Sequence, residues 1–435
     1  MSRKMKDSGI EWIGEIPKEW EVVPFRSCVK ERVEKNKGEK TRELLALSFA
    51  LGVTLYKDKV FNMDRVKENY EDYQMVYQND LVLSPNDIIK GSAFVSKYYG
   101  CISPMYYVFS VRDNSTHHLP YLSYLLRTKE AGRLFFFIAR GLIGEILDNG
   151  KYVTRRKTVS RQDLLSFNVL LPSFLEQQKI ADYLDKVCGE VDELVSLQEQ
   201  MIEELKAYKQ SVITEAVTKG LNQNVPMKDS GVDWIGEVPE GWKVSRLKYY
   251  SNFINGFAFN SDVFSLEIGC KVIRIGDISQ SLDFDGCVRA NIKTDTLQSY
   301  RIKNNDIIIA MSGATTGKCC IAKDVEEAYI NQRVGIIRCD NYSYVYYSLQ
   351  TDYFMEYINL NNAGSAQPNV SGTSIGNFPL LVPSLDEQQS IASYLDTKCA
   401  EIDALIALKQ AKIEELKEYK KSVIYEYVTG KKEVV

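Results

Sequence analysis

Histidine is nearly missing from this chain. Of 435 residues only two are histidine, His117 and His118, adjacent in a polar stretch that reads as a loop rather than a metal site. With so little imidazole, general acid–base chemistry would fall to carboxylates, and no carboxylate pair stands out. The nine cysteines are scattered; the one close pair is Cys319-Cys320, and no Cys-x-x-Cys or Cys/His cluster has zinc spacing. Long apolar runs are absent too. The nearest, Leu134 to Ile138, is far shorter than the ~18 residues of a membrane span and is followed by Arg140. The opening MSRKMKDSG has no apolar core of a secretory signal. These absences predict a cytoplasmic chain without a metal site or disulfide framework.

Catalytic fingerprints are lacking as well. There is no Gly-x-Ser-x-Gly elbow, no His-Glu-x-x-His, and no glycine-rich cofactor loop after a strand. SPND (84–87) is not the Asn/Asp-Pro-Pro-Tyr/Phe box of amino-methyltransferases. SGATTGK (312–318) resembles a phosphate loop but has Ser312 where that motif needs its first glycine, and Cys319 where it needs Ser or Thr. The expectation is a binder rather than an enzyme.

What is present is repetition. MKDSGIEWIGEIPKEWEV (5–22) returns as MKDSGVDWIGEVPEGWKV (227–244), with 12 of 18 positions identical. A second phrase, beginning PSFLEQQKIADYLD at Pro172, returns as PSLDEQQSIASYLD at Pro383; between Glu176 and Thr218, 26 of 43 positions match the second copy. The stretches enclosed, 23–170 and 245–381, show little mutual similarity. Two near-identical frames hold two unlike inserts. The length suits two or more domains, divided as 1–172, a spacer 173–220, 221–383 and a spacer 384–435.

The tail phrases read as helices. Ser173-x-x-Glu176 and Ser384-x-x-Glu387 have the form of capping boxes. Apolar residues then recur mostly every three or four positions from Ile180 to Val212 and from Ile391 to Val423, and no proline interrupts either stretch. A helix of roughly 40 residues is about 60 Å long. Its stripe needs a partner, and a pseudo-twofold chain predicts that the tails pair antiparallel as coiled-coil helices. The head phrases, with Trp12, Ile13, Trp20 and their copies Trp234, Ile235, Trp242, read as docking segments against the helices or a partner. Gln177, Gln178, Gln388 and Gln389 are grouped with them.

The inserts are rich in short β-type runs: NDLVLS (79–84), MYYVFSV (105–111), KVIRIGDI (271–278), NDIIIAMS (305–312) and VGIIRC (334–339). They read as mixed α/β domains with a strand-rich core. Net charge is −4 overall, yet residues 23–170 carry 23 basic and 16 acidic side chains. KYVTRRKTVSR (151–161) has five basic residues and no acid, and suits a phosphate-tracking surface: Lys151, Tyr152, Arg155, Arg156, Lys157 and Arg161, with Lys90 and Ser92 as further candidates. In the second insert the candidates are polar: Asn255, Asn260, Thr315, Thr316, Lys318, Gln367 and Asn369, since Asn and Gln can pair with adenine and Lys with guanine.

The head pattern Asp-Ser-Gly-x-x-Trp-Ile-Gly-x-x-Pro-x-x-Trp, the tail pattern Pro-Ser-x-x-Glu-Gln-Gln-x-Ile-Ala-x-Tyr-Leu-Asp, IRIGDI (273–278), NDIIIAMSGATTGK (305–318) and GCISPMYYVF (100–109) together resemble the specificity subunit of type I restriction–modification systems. The resemblance covers nearly the whole chain. It implies two α/β (α+β) target recognition domains in pseudo-twofold arrangement, separated by the helix pair, each reading one half of a split site in double-stranded DNA. It implies docking of two methyltransferase subunits, and of restriction subunits in some systems. S-adenosylmethionine, ATP and magnesium would then belong to those partners, with no cofactor on this chain. The alternative is a stand-alone pseudo-dimeric DNA binder such as a repressor. The second insert, net −1, departs from a basic recognition surface.

Overall fold

The repeated tails form two long helices, Phe174–Lys219 and Leu385–Val428. At 46 residues, the first is about 69 Å long at 1.5 Å per residue. The computed structural model describes residues 3–10, 13–59, 69–141, 145–146, 152–153, 157–222, 224–232, 235–265, 267–279, 281–361 and 369–434. Lys151, Arg155, Arg156, Trp12, Trp234 and Gln367 lie outside the described residues. The chain folds as two units, Met1–Gln198 with Ala411–Val435, and Glu199–Gln410. Each long helix therefore contributes one segment to each unit.

Within each unit the two helix segments run antiparallel. In the first, the Tyr183 ring packs 4.5 Å from that of Tyr427, and Asp192 binds the Lys420 ammonium at 2.7 Å. In the second, Lys209 binds Asp403 at 2.6 Å and Lys409 Nζ reaches Met201 Sδ at 3.4 Å. In both units, ascending one helix means descending the other. The stripe is not buried along its whole length as expected. Ile180, Leu184, Cys188, Ile391, Leu395 and Cys399 are buried in the cores, whereas Leu194, Leu197 and Tyr208, with their copies Leu405, Leu408 and Tyr419, are exposed.

Each head phrase is a small hairpin in the same register, Met5–Asp7 on Glu15–Pro17 and Met227–Asp229 on Glu237–Pro239. The strand after it closes on the strand before the long helix: Glu21–Pro24 on Asn168–Leu171, and Lys243–Arg246 on Pro379–Val382. The unlike inserts thus enter and leave by one doorway.

Inside, the inserts share an architecture that their sequences conceal. In the first module a four-stranded antiparallel sheet orders its strands as Val29–Glu31, Tyr107–Val111, Leu81–Leu83, Ala93–Val95. In the second the order is Asn252–Asn255, Val334–Arg338, Ile307–Ala310, Cys319–Ile321. The chain order around both sheets is the same. Two helices follow in each case, Leu119–Leu126 and Lys129–Ile138 in one, Tyr342–Ser348 and Asp352–Asn361 in the other. Their accessories differ. The first module adds the hairpin Leu45–Ser48/Gly52–Leu55 and the pair Gln74–Val76/Gly100–Ile102; the second adds another four-stranded sheet with strands Phe264–Ser265, Val288–Ala290, Cys270–Ile273 and Ala328–Ile330. The nine cysteines are free, and burial pushes the thiols of Cys319 and Cys320 up to about 12, far from reactive thiolates.

Candidate nucleic-acid interface

The frame holds both modules by the same bonds. Trp20 Nε1 donates to Glu176 at 3.2 Å, and Trp242 Nε1 to Glu387 at 3.0 Å. Both indoles are buried. Ser173 and Ser384 accept the N–H of Glu176 and Glu387, each at 3.3 Å, as N-caps should. The glutamates bind tryptophan instead of turning back to close a capping box. Gln177 and Gln388 are buried; their Nε2 atoms donate to the carbonyls of Pro172 (2.9 Å) and Pro383 (3.0 Å). Their Oε1 atoms accept from His118 N and Asn341 Nδ2, both at 2.9 Å, so each glutamine joins its helix to its insert. Gln178 is half-buried and Gln389 exposed; Ile13 is buried and Ile235 partly so. The hydroxyls of Tyr121 and Tyr344 donate to the carbonyls of Leu170 and Leu381, and those of Tyr124 and Tyr347 to Asp185 and Asp396.

A buried carboxylate organises the next level. Asn79 and Asn305 both take φ +70°, a left-handed turn that asparagine tolerates. The following residues, Asp80 and Asp306, are nearly inaccessible. Asp80 is clamped by Arg32 at 2.6 and 2.9 Å and accepts Tyr77 N at 2.8 Å. Asp306 is clamped by Arg338 at 2.6 Å through both nitrogens and accepts Lys303 N at 2.7 Å. These hydrogen bonds raise the pKa of both arginines. The clamp fixes the entry of the central strand, and that strand delivers the loop at its far end.

In the second module this loop is 311–318. Gly313 (φ +82°) and Gly317 (φ +88°) make its turns, and Thr316 Oγ1 donates to the Gly313 carbonyl at 2.7 Å. Val370 N donates to the Met311 carbonyl, and Ser312 bridges to Asn369. A Cβ on Gly372 would stand 2.9 Å from Asn255 Oδ1, and one on Gly313 would touch Ile275. Asn255, Thr315, Lys318, Asn369 and the IRIGDI turn are thereby assembled around one loop. Asn255, Lys318 and Asn369 are exposed, Thr315 is half-buried, and Thr316 is buried. The Oγ atoms of Ser312 and Thr315 have no hydrogen-bond partner among the described residues. Asn260 is exposed but stands apart, on the turn before the second sheet.

In the first module the equivalent loop is Ser84–Ser92. Val159 N donates to the Pro85 carbonyl at 2.9 Å, and Thr158 Oγ1 to Asn86 Oδ1 at 2.6 Å. The basic stretch 151–161 therefore ends beside this loop, as residues 369–372 do in the other module. Lys90 is exposed, but Ser92 is buried behind the loop and is not offered to a ligand. Lys157 lies over the Phe136 ring at 3.5 Å, and Arg161 pairs with Glu31 at 3.0 Å while lying over Tyr107. Tyr152 sits on a two-residue strand paired with Glu145–Ile146. The sequence reading missed Asn86, Asn79/Asp80 and Asn305/Asp306. The repeated Asn-Asp before an apolar run was their signal.

Comparison with known proteins agrees with this layout. Residues 239–418 match the type I restriction modification DNA specificity domain. The chain is 26% identical over 427 residues to the type I restriction enzyme MjaVIII specificity subunit of Methanocaldococcus jannaschii, covering 96% of this chain and 93% of that protein. It is 25% identical over 206 residues to the type I restriction enzyme EcoBI specificity subunit of Escherichia coli, covering 47% and 42%. Among solved structures, a chain from a study of complex assembly and conformational transition of the type I R-M system superposes with a TM-score of 0.69 at 15% identity, over 95% of this chain and 98% of that one. The HsdS subunit from Thermoanaerobacter tengcongensis gives 0.51 at 14% identity over 95% and 98%. A duplicated frame carrying two sheet modules is the class that these folds define. Along nearly its whole length the chain resembles type I restriction–modification specificity subunits.

Proposed function

We propose that this chain is the DNA-recognition subunit of a type I restriction–modification complex. Each module reads one half of a bipartite duplex site, through the loops around 84–92 and 311–318. One observation carries the reading. Two modules with the same sheet order, the same Asp–Arg clamp and the same bonds to the frame present different residues at the corresponding loop. The fold is held constant while the reading surface varies, as two different half-sites require.

The repeated frame also repeats an exposed apolar set, Leu194, Leu197 and Tyr208 on one helix and Leu405, Leu408 and Tyr419 on the other. Equivalent exposed positions suit two copies of one partner, and the family points to methyltransferase subunits. In this reading S-adenosylmethionine, ATP and magnesium act on partner subunits, and the chain performs no chemistry alone. It works in the cytoplasm, where the DNA is; no helix among the described residues is long and apolar enough to cross a membrane. The test is genome-wide mapping of methyladenine in cells co-expressing this chain with a type I methyltransferase subunit that co-purifies with it. The expected result is a split motif, methylated once on each strand around a fixed unread gap. No methylation, from a methyltransferase shown to be active with another specificity subunit, would refute the reading.

A further inference from the structure

The two modules differ in charge at one place beside the reading loop. In the first, a cleft of about 400 Å³ lies between the turn Ile88–Lys90, the start of the helix Lys129–Ile138 and the C-terminal helix. Lys90, Arg127, Lys129, Arg133 and Lys421 line it, and none of its lining residues is acidic. Lys421 shares its charge with Glu418 at 2.6 Å, outside the lining. Arg127 is held by its faces, 4.3 Å from the Phe94 centroid and 5.3 Å from that of Tyr124. Its guanidinium makes no hydrogen bond or ion pair among the described residues. Burial disfavours its charged form. The nearby charges of Asp192 and Asp185 oppose that effect but neither is hydrogen-bonded to Arg127, so the guanidinium has donors to spare.

The fold does not require these charges. Thr128 and Thr351 play the same part in the two modules: each hydroxyl donates to the carbonyl three residues back and accepts from the N–H three residues on. Counting from them, Arg127, Lys129 and Arg133 correspond to Gln350, Asp352 and Glu356. By the tail repeat, Lys421 corresponds to Gln210. There Gln210 Nε2 donates to the Gln350 carbonyl and Gln350 Nε2 to Cys319 Sγ, so neutral amides fill the floor and the rim carries acidic Asp352 and Glu356 in place of cations.

We propose, on the footing of the DNA-reading function above, that this cleft seats a backbone phosphate of the duplex beside the first module's half-site, and that the second module has no counterpart. Arg127 forms the floor and Lys90 and Lys129 the rim. The N–H groups of Lys129 and Glu130 lack intrahelical acceptors and add to the pull on an oxyanion, while that of Ala131 is taken by the Thr128 hydroxyl. Lys90 belongs to the same loop as Asn86, so a phosphate held here places that loop against the neighbouring base edges.

The test uses the full chain purified with its methyltransferase and duplexes carrying the mapped motif. R127Q and K421Q install the residues that the second module carries, and K90Q/K129Q neutralises the exposed rim without touching the packing of Arg127. Loss of a phosphate contact should lower the slope of log affinity against log salt by about 1 and weaken binding across sequences alike. A duplex with one uncharged methylphosphonate at the seated position should bind wild type more weakly and the variants no differently from plain DNA. An unchanged slope in R127Q and in K90Q/K129Q, with wild type binding its motif, overturns the cleft proposal and leaves the function standing. So does loss of methyltransferase co-purification with DNA binding intact, which would assign the cleft to an acidic protein segment. Failure of wild type to bind its motif at low salt overturns both.

Discussion

Replace Asp306 by asparagine. The side chain keeps its size and can still accept Lys303 N, but it can no longer neutralise Arg338. The carboxylate is 2% exposed and accepts two arginine bonds of 2.6 Å; the arginine is 30% exposed. Removing one partner of a buried pair typically costs 3–5 kcal/mol, and the partial hydration of Arg338 puts this case near 3 kcal/mol. With a urea dependence of roughly 2.5 kcal/mol per molar, the unfolding midpoint of the second unit should fall by about 1.2 M. The double variant D306N/R338M removes the stranded charge and should recover part of the loss. Tyrosine fluorescence and far-ultraviolet dichroism during urea titration would report it. A cost below about 1 kcal/mol for the single variant, or a double variant at the full sum of the two singles, would refute the clamp as the organiser of the strand. D80N should behave alike in the first unit, because Asp80 and Arg32 make the same pair.

Other perturbations probe the frame. Trp20→Phe and Trp242→Phe each remove a hydrogen bond to a carboxylate and should cost about 1.5–3 kcal/mol in chemical unfolding; equal midpoints with wild type would deny the frame this role. Leu194→Asp with Leu405→Asp changes exposed positions, so thermal stability should stay within about 0.5 kcal/mol while co-purification of the methyltransferase is lost; retained co-purification would move the docking surface elsewhere. Seven residues inserted into both long helices add about 10.5 Å of helix. That is roughly three base pairs at 3.4 Å each. The methylated motif should gain that much gap, and an unchanged gap would mean that the helices do not set it.

The frame was legible from sequence because duplication writes it twice. The helices, their serine caps and four of the five quoted strands stand where the patterns put them; of KVIRIGDI only the first half is strand, and Ile275–Asp277 turns as a 3-10 helix. The common architecture of the inserts was not legible. A sheet needs only apolar residues at alternate positions, which many sequences satisfy, and the loops between equivalent strands differ in length, so no single alignment offset reveals them. Asp80 and Asp306 find their arginines on non-equivalent strands of the two corresponding sheets, Arg32 just after Val29–Glu31 and Arg338 at the end of Val334–Arg338. Geometry is preserved there while sequence position is not. The role of Glu176 was read as a cap because the cap pattern is local; its tryptophan is 156 residues away. Of the site candidates, exposed Lys90, Asn255, Lys318 and Asn369 meet at loops that the strands deliver, whereas Ser92 and Thr316 are small residues that the loops bury to hold their own turns.

The structure also moves the boundary at which the modules should be exchanged. Val159 and Val370 donate to equivalent loop carbonyls, and Ser160 and Ser371 cap equivalent short helices. These residues keep the spacing of the tail repeat, so they belong to the frame although they lie inside the dissimilar inserts. A chimera that replaces 247–368 with the corresponding stretch of another family member keeps the doorway strands Lys243–Arg246 and Pro379–Val382, the Val370 bond and the Ser371 cap. It should fold as stably as the parent and change one half of the methylated motif. A cut at 381 instead discards the cap and three residues of the doorway strand, Pro379–Leu381. Loss of a cap alone costs about 1 kcal/mol. The two chimeras should therefore differ in stability but read the same new half-site. A change in both halves of the motif would mean that the modules do not read independently, and the shared architecture would then have to be explained without separate half-sites.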